Sequence, residues 1–245
     1  MAAPCFFPGA VWLGEERMDL FNRAEGTLEF WFKPPWSAVD RSGAADRHYF
    51  INMGPELPRR YTSHFKQILV IAHYPGRFYV WVGKESNAKW SAGGTVEDAA
   101  VWPGGRWHHL AVVWNAADPR DEWLRLYLDG RKVSGLRGIS KPERFKDGVQ
   151  IDVGGKAPYP VQVGVRNNGR YPADALIDEL RISRVARYRE DFEPATESFE
   201  MDPHTTALFH FDDDLTGQGT IPAGATYPVE SRAGILSREP DAPVQ

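Results

Sequence analysis

Short segments in which apolar and polar residues alternate, each closed by Gly, Pro, Asn or Asp, recur along most of this chain. That period of two belongs to strands with one face in a core, and helical spacing of apolar residues is scarce. The clearest segments are Gly26 to Lys33, Lys66 to His73, Gly76 to Gly83, Trp107 to Asn115, Trp123 to Asp129, Gln162 to Val165, Ala175 to Ser183 and Thr206 to Asp212. Strands in this number, with no helices to cover them, call for two packed sheets. The expected fold is an all-β, antiparallel, two-sheet β-sandwich.

At 245 residues the chain fits one large sandwich domain, taken as residues 1–236, with a Pro- and acid-rich tail at 237–245 expected to fray. The 13 Phe, 9 Tyr and 9 Trp can build a large core. A formal charge of −4 offers no basic groove for nucleic acid and no patch for an anionic membrane. The longest apolar runs, such as Leu110 to Trp114, are far short of the roughly 20 residues that span a bilayer. One cysteine, Cys5, rules out internal disulfides and cysteine metal clusters. The Ala-Ala-Pro-Cys start lacks the apolar stretch that precedes a lipoprotein cysteine, so an exported form would have had its signal removed or replaced.

Turn chemistry places two hairpins. Tyr74-Pro75-Gly76-Arg77 suits a tight turn, with proline presetting φ and glycine supplying a positive one. Leu128-Asp129-Gly130-Arg131 is an Asp-Gly turn that should return the chain into Lys132 and Val133. Arg41 to Asp46 and Ala116 to Glu122 are expected as exposed loops. Ser134 to Pro160 reads as a long connection with one strand at Gly148 to Val153.

Alternation also assigns faces. Leu28, Phe30 and Phe32, then Phe78, Val80 and Val82, then Leu124, Leu126 and Leu128 should point into the core. Trp31, Tyr79, Trp81, Trp123 and Tyr127 should then point away from it, where they could stack on sugar rings, enter a protein partner, or be covered by long loops. His108 and His109 fall on opposite faces of one strand and cannot act together. From Leu176 to Ile182 a strict alternation sets Asp178 among Leu176, Leu180 and Ile182. A carboxylate there needs an arginine, backbone amides or a cation.

Four motifs in order, Gly26-Thr-Leu-Glu-Phe-Trp-Phe-Lys-Pro34, Gly105-Arg-Trp-His-His-Leu-Ala-Val-Val-Trp114, Leu124-Arg-Leu-Tyr-Leu-Asp-Gly130 and Ile177-Asp-Glu-Leu-Arg-Ile182 with Ala186-Arg-Tyr188, resemble the laminin-G-like jelly rolls of the concanavalin A-like lectin/glucanase superfamily. The likeness spans about residues 8–215. It implies a jelly roll in which the Thr206 to Asp212 strand closes the same domain. It also implies a structural calcium near Asp178, with the Asp212 to Asp214 run as a looser candidate and backbone carbonyls completing the site.

No strand offers the spaced carboxylates of a glucanase, and no serine elbow or phosphate loop is present. The reading is a non-catalytic module recognising carbohydrate at a cell surface, in the periplasm or in extracellular matrix. The outward aromatics and the loop residues Trp36, Trp90, Trp102, Asn168, Arg170 and Tyr171 are its candidate contacts. The alternatives are an accessory subunit docking on a protein through the same aromatics, and a polysaccharide lyase or hydrolase.

Overall fold

The computed structural model describes residues 11–13, 21, 24–38, 47–53, 69–82, 92–97, 102–115, 117–120, 122–133, 161–166, 171–212, 217–219, 225–227 and 229–231. Cys5, Trp90, Asn168, Arg170, Asp213, Asp214, the segment Gly148 to Val153 and the tail at 237–245 lie outside the described residues.

The strands in chain order are β1 (Val11–Leu13), β2 (Glu25–Lys33), β3 (His48–Met53), β4 (Leu69–Tyr74), β5 (Arg77–Val82), β6 (Ala92–Glu97), β7 (His108–Asn115) and β8 (Leu124–Leu128). They continue with β9 (Arg131–Lys132), β10 (Val161–Val163), β11 (Leu176–Ser183), β12 (Thr205–Phe209), β13 (Gly217–Gly219), β14 (Ala225–Tyr227) and β15 (Val229–Ser231). One sheet has seven strands in the order β15-β1-β10-β3-β4-β5-β6, and the other has eight in the order β14-β13-β12-β11-β2-β7-β8-β9. Every pairing is antiparallel. This is the jelly-roll sandwich that the alternating segments imply, with β12 closing onto β11 as expected.

Between the sheets, Leu28, Phe30 and Phe32 of β2 and Leu110, Val112 and Trp114 of β7 meet Phe50, Ile71, Phe78 and Val80 from the opposite sheet. Phe32 is the hub, with ring centroids 4.8 Å from Phe50 and 5.7 Å from Trp102. A fully buried side chain of this size contributes about 1.5–3 kcal/mol. Both hairpins form as their turns require: Gly76 has φ 77, and Asp129 and Gly130 have φ 49 and 73.

Two local expectations need correction. Strand β11 carries a bulge: Asp178 pairs with Trp31 but Arg181 pairs with Glu29, so one extra residue sits opposite β2, and Glu179 takes φ 52. An extra residue switches the faces, so Ile177 before it and Leu180 and Ile182 after it all enter the core. Leu176 and Asp178 therefore lie opposite to Ile177, and Asp178 does not share a face with Leu180. The loop between β7 and β8 is not wholly exposed either. Asp118 is buried in an ion pair with Arg125, which draws it inward.

Residues 184–204 have neither helix nor strand, yet they lie across the outward face of the eight-stranded sheet. Ala186, Tyr188 and Phe192 pack on Ala111, Val113 and Tyr127, and Phe199 and Met201 pack with Trp31 and Leu208. This strap is fastened to the Asp129-Gly130 turn by the Phe192 N–H, which donates to the Gly130 carbonyl at 2.9 Å.

That fastening predicts a difference between two glycines of similar φ. A Cβ at Gly130 would come within 1.9 Å of the Phe192 carbonyl oxygen, whereas one at Gly76 would meet nothing within 4 Å. Gly76→Ala should cost about 1–2 kcal/mol of left-handed strain, and Gly130→Ala about 1–3 kcal/mol more through the clash. Urea unfolding of both variants checks this, and equal losses would refute the strap contact.

Candidate binding faces

A buried carboxylate organises the strap side. Glu29, at the middle of β2, is fully buried on the outward face. It accepts hydrogen bonds from Arg181 Nε at 2.9 Å and from the Tyr188 hydroxyl at 2.7 Å, and His109 Nε2 lies 3.3 Å away. Burial alone would raise its pKa, but the His109 contact, the Arg181 charge and the Tyr188 hydroxyl together hold it below the usual carboxylate range. Around it Arg181 covers the Phe199 ring at 3.9 Å, and Arg187 reaches Asp202 at 2.8 Å and Ser183 Oγ at 2.6 Å. Tyr188 and Phe192 stack at 3.5 Å.

This arrangement removes several expected contact residues from solvent. Trp31 and Tyr127 do point away from the inter-sheet core, but the strap covers both, leaving them 8% and 0% exposed. Trp123 is in the core itself, because it precedes β8 and packs with Leu124 rather than alternating with it. Trp36 and Trp102 are also core residues, 5.2 Å apart. Trp36 donates to the Ala173 and Asp174 carbonyls at 3.1 and 2.9 Å, which accounts for its inward position. None of these five rings is presented to a ligand.

The outward face of the seven-stranded sheet differs. Alternation with the core residues Ile51, Met53, Leu69 and Ile71 puts Asn52 and Val70 outward. Tyr49, Val70 and Ala72 form a buried floor, and Tyr74, Tyr79 and Tyr171 pack on it half-buried. The Tyr49 and Tyr74 hydroxyls are 3.1 Å apart, and the Tyr49 and Tyr171 rings stack at 6.0 Å. Arg47 lies 5.2 Å from the Tyr74 ring and 5.5 Å from the Tyr171 ring. Arg166 lies 5.7 Å from Tyr49 and 5.8 Å from Tyr171. Burial pushes the phenol groups of Tyr49 and Tyr79 well up, so both hydroxyls stay neutral donors.

Pairing registers align a row across this sheet: Trp12 opposite Gln162, Gln162 opposite Asn52, Asn52 opposite Val70, and Val70 opposite Trp81. Of the expected contact residues, then, Tyr79 and Tyr171 come together in one cluster, with Trp81 two positions from Tyr79 on the same strand. Tyr49, Tyr74, Arg47 and Arg166 were not anticipated. Tyr49 lies in a strand without clean alternation, Tyr74 reads as a turn residue, and the two arginines flank strands.

At the β11 bulge, Asp178 Oδ1 accepts the Glu179 N–H at 2.9 Å. Glu179 accepts from the Phe199 N–H at 2.8 Å and meets His210 Nδ1 at 2.8 Å. The Glu179 hydrogen bond, with added pull from Asp212 and Asp178, raises the His210 pKa against the opposing effect of burial. No group of three or more His, Cys, Asp or Glu side chains suited to a metal occurs among the described residues. Asp178 and Asp212 alone fall short of the six to eight oxygens that calcium takes, so carbonyls would have to supply most of such a site.

The Glu29 geometry predicts a pH-dependent stability. Because the folded pKa lies below the ordinary 4.5, its contribution is complete above pH 4.5 and is lost as pH falls through the folded value. Glu29→Gln should cost about 3–5 kcal/mol at neutral pH by leaving Arg181 without its buried partner. The gap between the wild type and the variant should narrow in acid. Denaturant unfolding at several pH values measures it, and a constant gap would contradict the assignment.

A family profile described as the concanavalin A-like lectin/glucanases superfamily, in its laminin G group, matches residues 15–191. None of the curated proteins matches the chain in sequence. Among solved structures, a proposed carbohydrate-binding protein of Bacteroides ovatus is similar over 100% of this chain and 62% of its own, at 14% identity and a TM-score of 0.58. Domains LG4-5 of the mouse laminin α1 chain align over 86% of this chain and 48% of theirs, at 14% identity and a TM-score of 0.49. A pentraxin of Limulus polyphemus covers 76% of each chain, at 13% identity and a TM-score of 0.45. At these identities the likeness is one of fold. With the profile covering most of its length, the chain belongs to the concanavalin A-like lectin/glucanases superfamily, within the laminin G group.

Proposed function

We propose that this protein is a non-catalytic binding module that takes carbohydrate on the outward face of the seven-stranded sheet. The observation that carries the reading is the contrast between the two outward faces. The strap buries the aromatics of one, while the other keeps Tyr74, Tyr79 and Tyr171 partly exposed in one cluster. Aromatic faces offer flat apolar surface to the C–H faces of a sugar ring, and neutral phenol hydroxyls supply donors to its oxygens. The Bacteroides ovatus protein of the same fold, a proposed carbohydrate-binding protein, supports the choice of ligand class. On this reading the module works at a cell surface or in a matrix. No helix among the described residues is long and apolar enough to cross a membrane.

A glycan array with the wild-type protein tests it. Tyr79→Ala and Trp81→Ala should each weaken binding about tenfold, or about 1.4 kcal/mol, while Trp31→Ala should lower the melting temperature instead. A silent array together with a co-purifying protein would favour the docking alternative. Release of reducing ends or unsaturated sugars from polysaccharide would establish an enzyme instead.

We also propose a structural calcium held by Asp178 and Asp212 with backbone carbonyls. Its support is the laminin-G-like motif position of Asp178, whose Oδ1 already accepts the Glu179 N–H, so carbonyls would supply most of the ligands. Chelation by EDTA should then lower the melting temperature by several degrees, and an unchanged value would discard the calcium.

A further inference from the structure

We infer that the sugar taken by the tyrosine face is anionic, its carboxylate or sulfate docking on Arg47. This inference rests on the carbohydrate reading above and names the ligand class. Arg47 is half-buried between two rings, 5.2 Å from Tyr74 and 5.5 Å from Tyr171. Stacking on aromatic faces holds a guanidinium in place while leaving the in-plane N–H groups at its edge free to form paired hydrogen bonds to an oxyanion. A side chain fixed in this way gives up little further rotamer freedom on binding.

The distribution of ion pairs points the same way. The ion pairs formed between described residues all belong to the eight-stranded sheet, its turns and loops, the strap or His210: Glu29 with Arg181, Asp118 with Arg125, Asp129 with His108, Asp202 with Arg187, and others around them. On the tyrosine face the described carboxylates form no such pair with Arg47, whose described partners are the two rings. In a chain of net charge −4, one outward face thus presents a guanidinium held by two rings. An incoming anion there would displace little water from the half-buried Arg47 and would meet its positive charge. Tyr74, Tyr79 and Tyr171 would hold the ring that bears it.

The experiment uses the full chain on an array carrying neutral, carboxylated and sulfated glycans, followed by titration of the best ligand. Anionic glycans should bind at least tenfold more tightly than their neutral counterparts, with affinity falling as salt rises. The carboxylated and sulfated arms identify which oxyanion is taken. Arg47→Ala should abolish the preference for charge, and Arg47→Lys should restore only part of it. Equal binding of neutral and anionic glycans, or a preference unchanged in Arg47→Ala, overturns this inference and leaves the carbohydrate reading standing. Absence of binding to every glycan overturns both. Should Arg47→Ala fail to fold, the salt dependence of the wild type and Arg47→Gln give the same decision.

Discussion

A carboxylate sealed in the middle of a sheet is the constraint from which the asymmetry of this sandwich follows. Glu29 alternates outward between the core residues Leu28 and Phe30, so strand geometry alone would leave it on the surface. It is fully buried because the chain after β11 returns over it and brings Tyr188 while β11 itself brings Arg181. Removing a charge from water is tolerable only when its oxygens are filled, and here Arg181 and the Tyr188 hydroxyl fill them, with His109 3.3 Å away. The strap's aromatics then pack on the same face, so polar satisfaction and apolar burial are achieved by one segment.

The two outward faces consequently have different chemistry. On the eight-stranded side the ionic groups are matched and the rings are enclosed, which suits a surface whose task is to hold the fold. On the seven-stranded side the floor is apolar and phenolic, its rim is partly exposed, and Arg47 is oriented by rings rather than by an acid. Groups whose bonding is complete have little to offer a ligand. Groups oriented but incompletely engaged are the ones from which binding energy can be drawn.

How much of this could be read from sequence depended on whether a feature was local. The alternation in Gly26 to Lys33 and in Leu124 to Leu128 reported the core face correctly, and the Pro-Gly and Asp-Gly turns reported their hairpins, because neighbouring residues settle both. The β11 bulge was hidden: Glu179 adopts a positive φ without being glycine, so nothing in Leu176 to Ile182 marks where the faces switch. The strap was hidden too, since residues 184–204 follow no period and are held by contacts far away in sequence, such as Thr27 Oγ1 with Val185 and Arg187. The tyrosine face assembles from β3, β4, β5 and the loop at Tyr171, and only Tyr79 and Tyr171 of it were anticipated. His48 to Met53 turns both Phe50 and Ile51 inward through a register shift, which erases the alternation that would have flagged Tyr49.

The strap also bears on where this unit ends. The family match stops at residue 191, in the middle of the strap, one residue before Phe192 and well before Phe199 and β12. A fragment cut there would keep the four ordered motifs and Tyr188 yet lose Phe192 from over Tyr127 and Phe199 from over Trp31, as well as the strand that pairs with β11. Its interior would open onto a half-uncovered carboxylate network. The cover of this sheet therefore extends past the stretch that the family profile matches.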